Sequence, residues 1–221
     1  MLDPELVLGL DLGGQAVGVP AETAFDALPA RATTLRRRPA WAERVEHYAA
    51  SALAVHGLDA GRVRRVARAV GDAVATRDPG PVVATHGDFY EANVLLAAAA
   101  DADDVPGATA RPRVAALLDV DTLGPGHRVD DLACLVGHLA VLPALAPTVY
   151  GGVGGLVERC LAVFGTAVDL VGLRARAAGV VLSLVPGAGS RELAEAWLAV
   201  ADGLLPVPES TLMTTSSASH A

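Results

Sequence analysis

Between Val82 and Leu96 the sequence reads VVATHGDFYEANVLL, which sets His86, Asp88 and Asn93 between two apolar runs. No helical punctuation separates Asp88 from Asn93, so one loop can turn both toward a common point. A second polar cluster closes the run RVAALLDVDT at Arg113 to Thr122. Read as a strand over Arg113 to Val120, it places Asp119 at the strand end, with Asp121 expected on the same side. If NVLL and ALLD pair as an antiparallel hairpin, Asn93 enters one strand where Asp119 leaves the other. Carboxylates and an amide oxygen then converge at the hairpin base. That all-oxygen set suits Mg2+, which takes one or two carboxylates with water and phosphate oxygens, and it suits zinc poorly. An acid left over from the metal, Asp88, can orient or deprotonate a hydroxyl. Metal, phosphate and an acid facing a hydroxyl together describe phosphoryl transfer.

A purely structural reading makes His86 a satisfied core histidine and Asp131 an N-cap of the helix DLACLVGHL. It explains Asp88, Asn93, Asp119 and Asp121 poorly, because unpaired carboxylates between buried strands are costly. Arginine partners would be required, and Arg113 and Arg128 are the nearest in sequence.

HGDFYEANVLL followed by LLDVDTLGPGHRVDDLA resembles the catalytic core of the aminoglycoside phosphotransferase family, the kinase-like small-molecule kinases. The resemblance spans about Val82 to Leu139. It implies that Asp88 is the catalytic acid positioning the acceptor hydroxyl, and that Asn93 and Asp119 are Mg2+ ligands. His86 would hold the catalytic loop, Asp131 would tie the following helix to it by hydrogen bonds, and Asp121 would support the site. The implied cofactors are Mg2+ and ATP or GTP. The implied partner is a small hydroxyl compound, such as an aminoglycoside or an amino alcohol.

Complete members of that family carry an N-terminal β-rich lobe with a nucleotide-covering loop and a phosphate-gripping Lys. All 17 basic residues here are Arg, and the sequence holds no Lys. ELVLGLDLGG near the N-terminus would correspond to the hinge strand, with the nucleotide lobe largely missing and activity weak or absent. The alternative is a non-enzymatic binding module that uses an acidic cleft for a cationic ligand.

The expected fold is α+β and mostly α: a kinase-like C-terminal lobe with a small catalytic hairpin. Residues 1–40 read as an irregular, hinge-like segment, 41–208 as the lobe and 209–221 as a disordered polar tail. From Trp41 to Ala75 apolar residues recur at helical spacing, with Gly57 and Gly61 dividing two helices that end at RDPGP. Short strands follow at VVAT, NVLLA and RVAALLDV, with an acidic, Pro/Gly-containing loop between the last two. DTLGPGHR lies between the last of them and the next helical pattern. Helical pattern resumes at Asp130 and runs, with breaks, to about Leu205, and Ser190 caps the last helix.

Apolar residues make up 52% of the 221-residue chain and aromatics only 4%, which points to helices packed through small side chains. The net charge of −8 argues against nucleic acid as the main partner. The two basic clusters, LRRRP and Arg62 to Arg68, read as solvated. Cys134 and Cys160 read as buried free thiols in a reducing cytosol, without zinc-like spacing. The apolar stretch Leu132 to Val157, broken by His138, Pro143, Pro147 and glycines, reads as a buried helix followed by a loop. No membrane span and no signal peptide are expected, hence a cytoplasmic location.

Overall fold

A computed structural model of the chain describes residues 28–97 and 113–205. The hinge-strand assignment at ELVLGLDLGG, the acidic loop after NVLLA and the tail 209–221 lie outside the described residues. Seven helices and four short strands are described: α1 (Val45–His56), α2 (Ala60–Thr76), β1 (Val82–Thr85), β2 (Val94–Ala97), β3 (Arg113–Leu117), β4 (Gly124–His127), α3 (Arg128–Leu145), α4 (Pro147–Tyr150), α5 (Val153–Phe164), α6 (Leu170–Leu184) and α7 (Arg191–Leu204). The protein is α+β and mostly helical, with two small antiparallel sheets.

Three helix starts have a side-chain cap. Asp59 accepts the Arg62 N–H at the head of α2, Asp169 accepts from Val171 and Gly172 at α6, and Ser190 accepts from Leu193 at α7. Gly57 takes the left-handed conformation that closes α1 (φ 59°), whereas Gly61 lies inside α2. Trp41 falls in a 3-10 turn, Trp41–Arg44, that leads into α1.

Helix α6 is the core element. Gly172, Leu173 and Ala175 through Leu182 are buried along it, and α2, α3 and α7 pack around it. Small residues set the spacing: a Cβ on Gly137 of α3 would stand 2.8 Å from Val180 side-chain atoms. Another on Gly179 would stand 3.1 Å from the Ala42 Cα. Each fully buried Val or Leu at these contacts contributes about 1.5–3 kcal/mol relative to exposure. The segment Leu170–Gly187 is long and apolar enough to cross a membrane, but it is mostly buried inside the protein, as a core helix is.

One charged pair lies at the edge of this core, its arginine buried and its carboxylate partly exposed. Arg176 of α6, 4% exposed, holds Asp130 of α3 at 2.6 Å. One expectation needs correction. GGVGG is not a loop: α5 begins at Val153, among those glycines. GPGH, which the sequence pattern assigns to no element, forms β4 and pairs antiparallel with β1, Val82 opposite His127 and Thr85 opposite Gly124. Proline and glycine have low strand propensity, but a two-stranded sheet consists of edges, where a residue without an N–H is tolerated.

Candidate functional site

The hairpin of β2 and β3 forms as the sequence suggests. Val94 faces Leu117 and Leu95 faces Ala116, with a bulge before Leu96. Just beyond the ladder, the Leu118 N–H donates to the Asn93 carbonyl at 2.9 Å. Asn93 therefore stands beside the residue that precedes Asp119.

The expected strand over Arg113 to Val120 stops at Leu117, and Val120–Thr122 is a 3-10 turn. Strand alternation therefore does not govern where Asp121 points. Asp119 sits at the entry to that turn with φ 52° and ψ 56°, the one non-glycine residue of positive φ among the described residues. Asp tolerates this left-handed conformation better than most L-residues. Backbone outliers of this kind concentrate at functional sites.

His86, fully buried, organises the His-Gly-Asp turn. Its Nε2 lies 2.8 Å from the Leu118 carbonyl and its Nδ1 receives the Asp88 N–H at 3.3 Å. With Nδ1 accepting, the ring proton belongs on Nε2, donating to Leu118. The Thr122 hydroxyl donates to the His86 carbonyl. Gly87 has φ 85°, and a Cβ there would meet the Thr122 carbonyl oxygen at 2.8 Å, so both conformation and space require glycine. The Trp41 indole N–H donates to the Gly87 carbonyl at 3.2 Å.

Asp131, 1% exposed, lies in the first turn of α3 and does not cap its own helix. Its Oδ2 accepts the His86 N–H and its Oδ1 the Gly87 N–H, both at 2.8 Å. Burial lifts its pKa to about 7, against the two amides that favour the carboxylate.

Asp88 is half-buried. Burial raises its pKa first, the Cys134 thiol and His86 lower it, and the charges of Asp119 and Asp121 raise it again. The structure thus gathers Asp88, Asp119 and Asp121 closely enough for their charges to interact. The Asn93 side chain joins them by donating Nδ2 to the Asp88 carbonyl at 3.0 Å. That bond leaves Oδ1 as the atom Asn93 can present to a cation. The ion pairs among the described residues do not take Asp88, Asp119 or Asp121, and buried Arg176 pairs with Asp130 instead.

Two neighbours escaped the sequence reading. Cys134 Sγ donates to Asp88 Oδ1 at 3.7 Å, and the His138 ring stacks on Tyr90 with centroids 4.4 Å apart. The signal available was their separation by one helical turn on the helix that begins beside the motif. Burial holds His138 down at about 4 and pushes the Cys134 thiol well up, helped by the Asp88 charge. Burial also raises Glu91, whose Oε2 has no hydrogen-bond partner.

A pocket of about 310 Å³ adjoins the same turn, lined by Arg37, Arg38, Trp41, Tyr48, Gly87 and Asp130 among others. Its lining does not include Asp88, Asn93 or Asp119. No protein-family model matches the chain, and no curated protein matches it.

Proposed function

We propose that the chain is a phosphotransferase lobe of the aminoglycoside phosphotransferase kind. It transfers the γ-phosphoryl group of ATP or GTP to the hydroxyl of a small molecule, with Mg2+, and with weak turnover as this chain stands. The observation that carries the reading is the set of Asp88, Asn93 and Asp119, drawn from two segments: Asn93 bonds the Asp88 carbonyl, and the Asp119 charge acts on Asp88.

The donor set fits Mg2+, because Asp119 is an exposed carboxylate and Asn93 keeps an amide oxygen after committing its nitrogen. A cation there would offset the charge of the phosphate oxygens. Asp88 is the group that receives the acceptor's hydroxyl proton, and its burial-raised pKa suits that role. His86 and Asp131 hold the turn, so that the Asp88 carboxylate has a fixed place to work from. The sequence holds no Lys, so a Lys contact to the nucleotide phosphates is not supplied by this chain. Positioning and electrostatics provide most of this catalysis, and weak turnover follows.

Calorimetric titration with ATP, with and without Mg2+, tests the reading on the wild type and on Asp119→Ala. Mg2+-dependent binding that Asp119→Ala abolishes is expected. Binding of a cationic amine that ignores both Mg2+ and Asn93→Ala would instead support a non-enzymatic module.

A further inference from the structure

We propose that Asp88, Cys134 and His138 form a site for a thiophilic divalent cation such as Zn2+, and that its occupation withdraws Asp88 from the acceptor hydroxyl. The second half rests on the reading of Asp88 as the acid of phosphoryl transfer; the first half does not.

The geometry carries the metal site. One carboxylate oxygen, the Cys134 sulfur and one His138 ring nitrogen all lie within 4.8 Å of one another. Cys134 and His138 are one turn apart on α3 and so project from the same face of that helix. Asp88 approaches from the His-Gly-Asp turn, which two backbone bonds to Asp131 fasten to the start of the same helix. The three ligands are therefore held on one frame, and the Asp130–Arg176 pair, beside Asp131, ties the start of that helix to α6.

The ligand chemistry differs from that of the Asn93 and Asp119 oxygens. Carboxylate, thiolate and imidazole make a mixed set that selects a borderline-soft ion, whereas Mg2+ takes oxygen. Three protein ligands leave the fourth tetrahedral position to water or to a substrate atom. The His138 imidazole is neutral at pH 7 and needs to lose no proton before it binds. Burial and the neighbouring Asp88 charge keep Cys134 a thiol, and a bound dication reverses that preference. As the sulfur–metal bond forms, the thiol proton leaves to water, and the hydrogen bond from Cys134 to Asp88 is replaced by shared coordination. Closing to zinc bond lengths draws the three groups inward from their present spacing, a movement that side-chain rotation of Asp88 and His138 can supply.

Cobalt titration of the purified chain tests the site without an activity assay, because Co2+ bound by a thiolate gives a charge-transfer band. The expected result is one Co2+ per chain with that band, displaced by Zn2+ and not by excess Mg2+. Cys160→Ser should retain the band. Cys134→Ser should lose it, and His138→Gln should weaken binding by more than about ten-fold. His138→Gln also serves alone if Cys134→Ser does not fold by circular dichroism. A folded wild type that gives no thiolate band, or a band that survives in both variants, overturns the site. With the site established, Zn2+ should inhibit Mg2+-dependent phosphoryl transfer in the wild type and not in His138→Gln. Inhibition equal in both sinks the withdrawal of Asp88. A cobalt band in a chain that never binds Mg2+ and ATP would leave the metal site standing and end the kinase reading.

Discussion

Asp131 Oδ1 receives the Gly87 amide at 2.8 Å, a bond that joins the start of α3 to the middle of the His-Gly-Asp turn across 44 residues of sequence. Together with the bond from His86 to Oδ2, it makes one buried carboxylate responsible for the shape of the loop that carries Asp88.

Asp131→Ala should therefore be costly out of proportion to its size. It leaves the amide of fully buried His86 without an acceptor, and such a loss, with the accompanying packing defect, costs about 2–4 kcal/mol. The sign of its pH dependence follows from a folded pKa raised to about 7 from 3.8. A raised pKa contributes stability that is full below the unfolded value and lost as pH rises through the folded one. The gap between wild type and variant in urea denaturation should shrink as pH passes from about 4 to above 7.

Small-residue packing makes opposite predictions for two helical glycines. Gly137→Ala drives a methyl to 2.8 Å from Val180 side-chain atoms and should destabilise by about 1–3 kcal/mol. Gly71→Ala in the interior of α2 meets nothing within 4 Å and should stabilise by about 0.5–1 kcal/mol through lost chain entropy. Thermal or urea melts of the two variants check the pair. Equal effects would deny that the α3–α6 contact sets the spacing of the core.

His138 should shape the acid limb of stability. Its pKa falls to about 4 in the folded chain from 6.5, so the unfolded chain binds its proton first. Stability from this group is present above pH 6.5 and lost as pH falls toward 4. His138→Gln should flatten that slope whatever it costs in stacking against Tyr90. The measurement is the midpoint of urea unfolding at several pH values, and parallel slopes for wild type and variant would refute the assignment.

How much was legible in the sequence varies with the range of the interaction responsible. The helices between Trp41 and Ala75, the Ser190 cap and the pairing of β2 with β3 follow from periodicity and local punctuation, which act within a few residues. β4 did not, because Gly124–His127 has a turn's composition and becomes a strand only through its distant partner β1. The length of β3 failed for a related reason. Asp119 adopts a left-handed conformation after Leu118, and neither propensity nor alternation registers the hydrogen bonds that tie Leu118 to His86 and to Asn93.

The sequence by itself determined which groups could do chemistry, because side-chain type and order along the chain limit the donors on offer to the carboxylates, an amide and a histidine of two short motifs. It also determined that helices would pack closely, since Ala, Val and Gly leave little between them. Only the tertiary structure decided that Cys134 and His138 belong with Asp88, and that Arg176 pairs with Asp130. Those neighbours lie more than 40 residues apart along the chain. Packing of α3 against the His-Gly-Asp turn and against α6 brings them together, and no local preference encodes that.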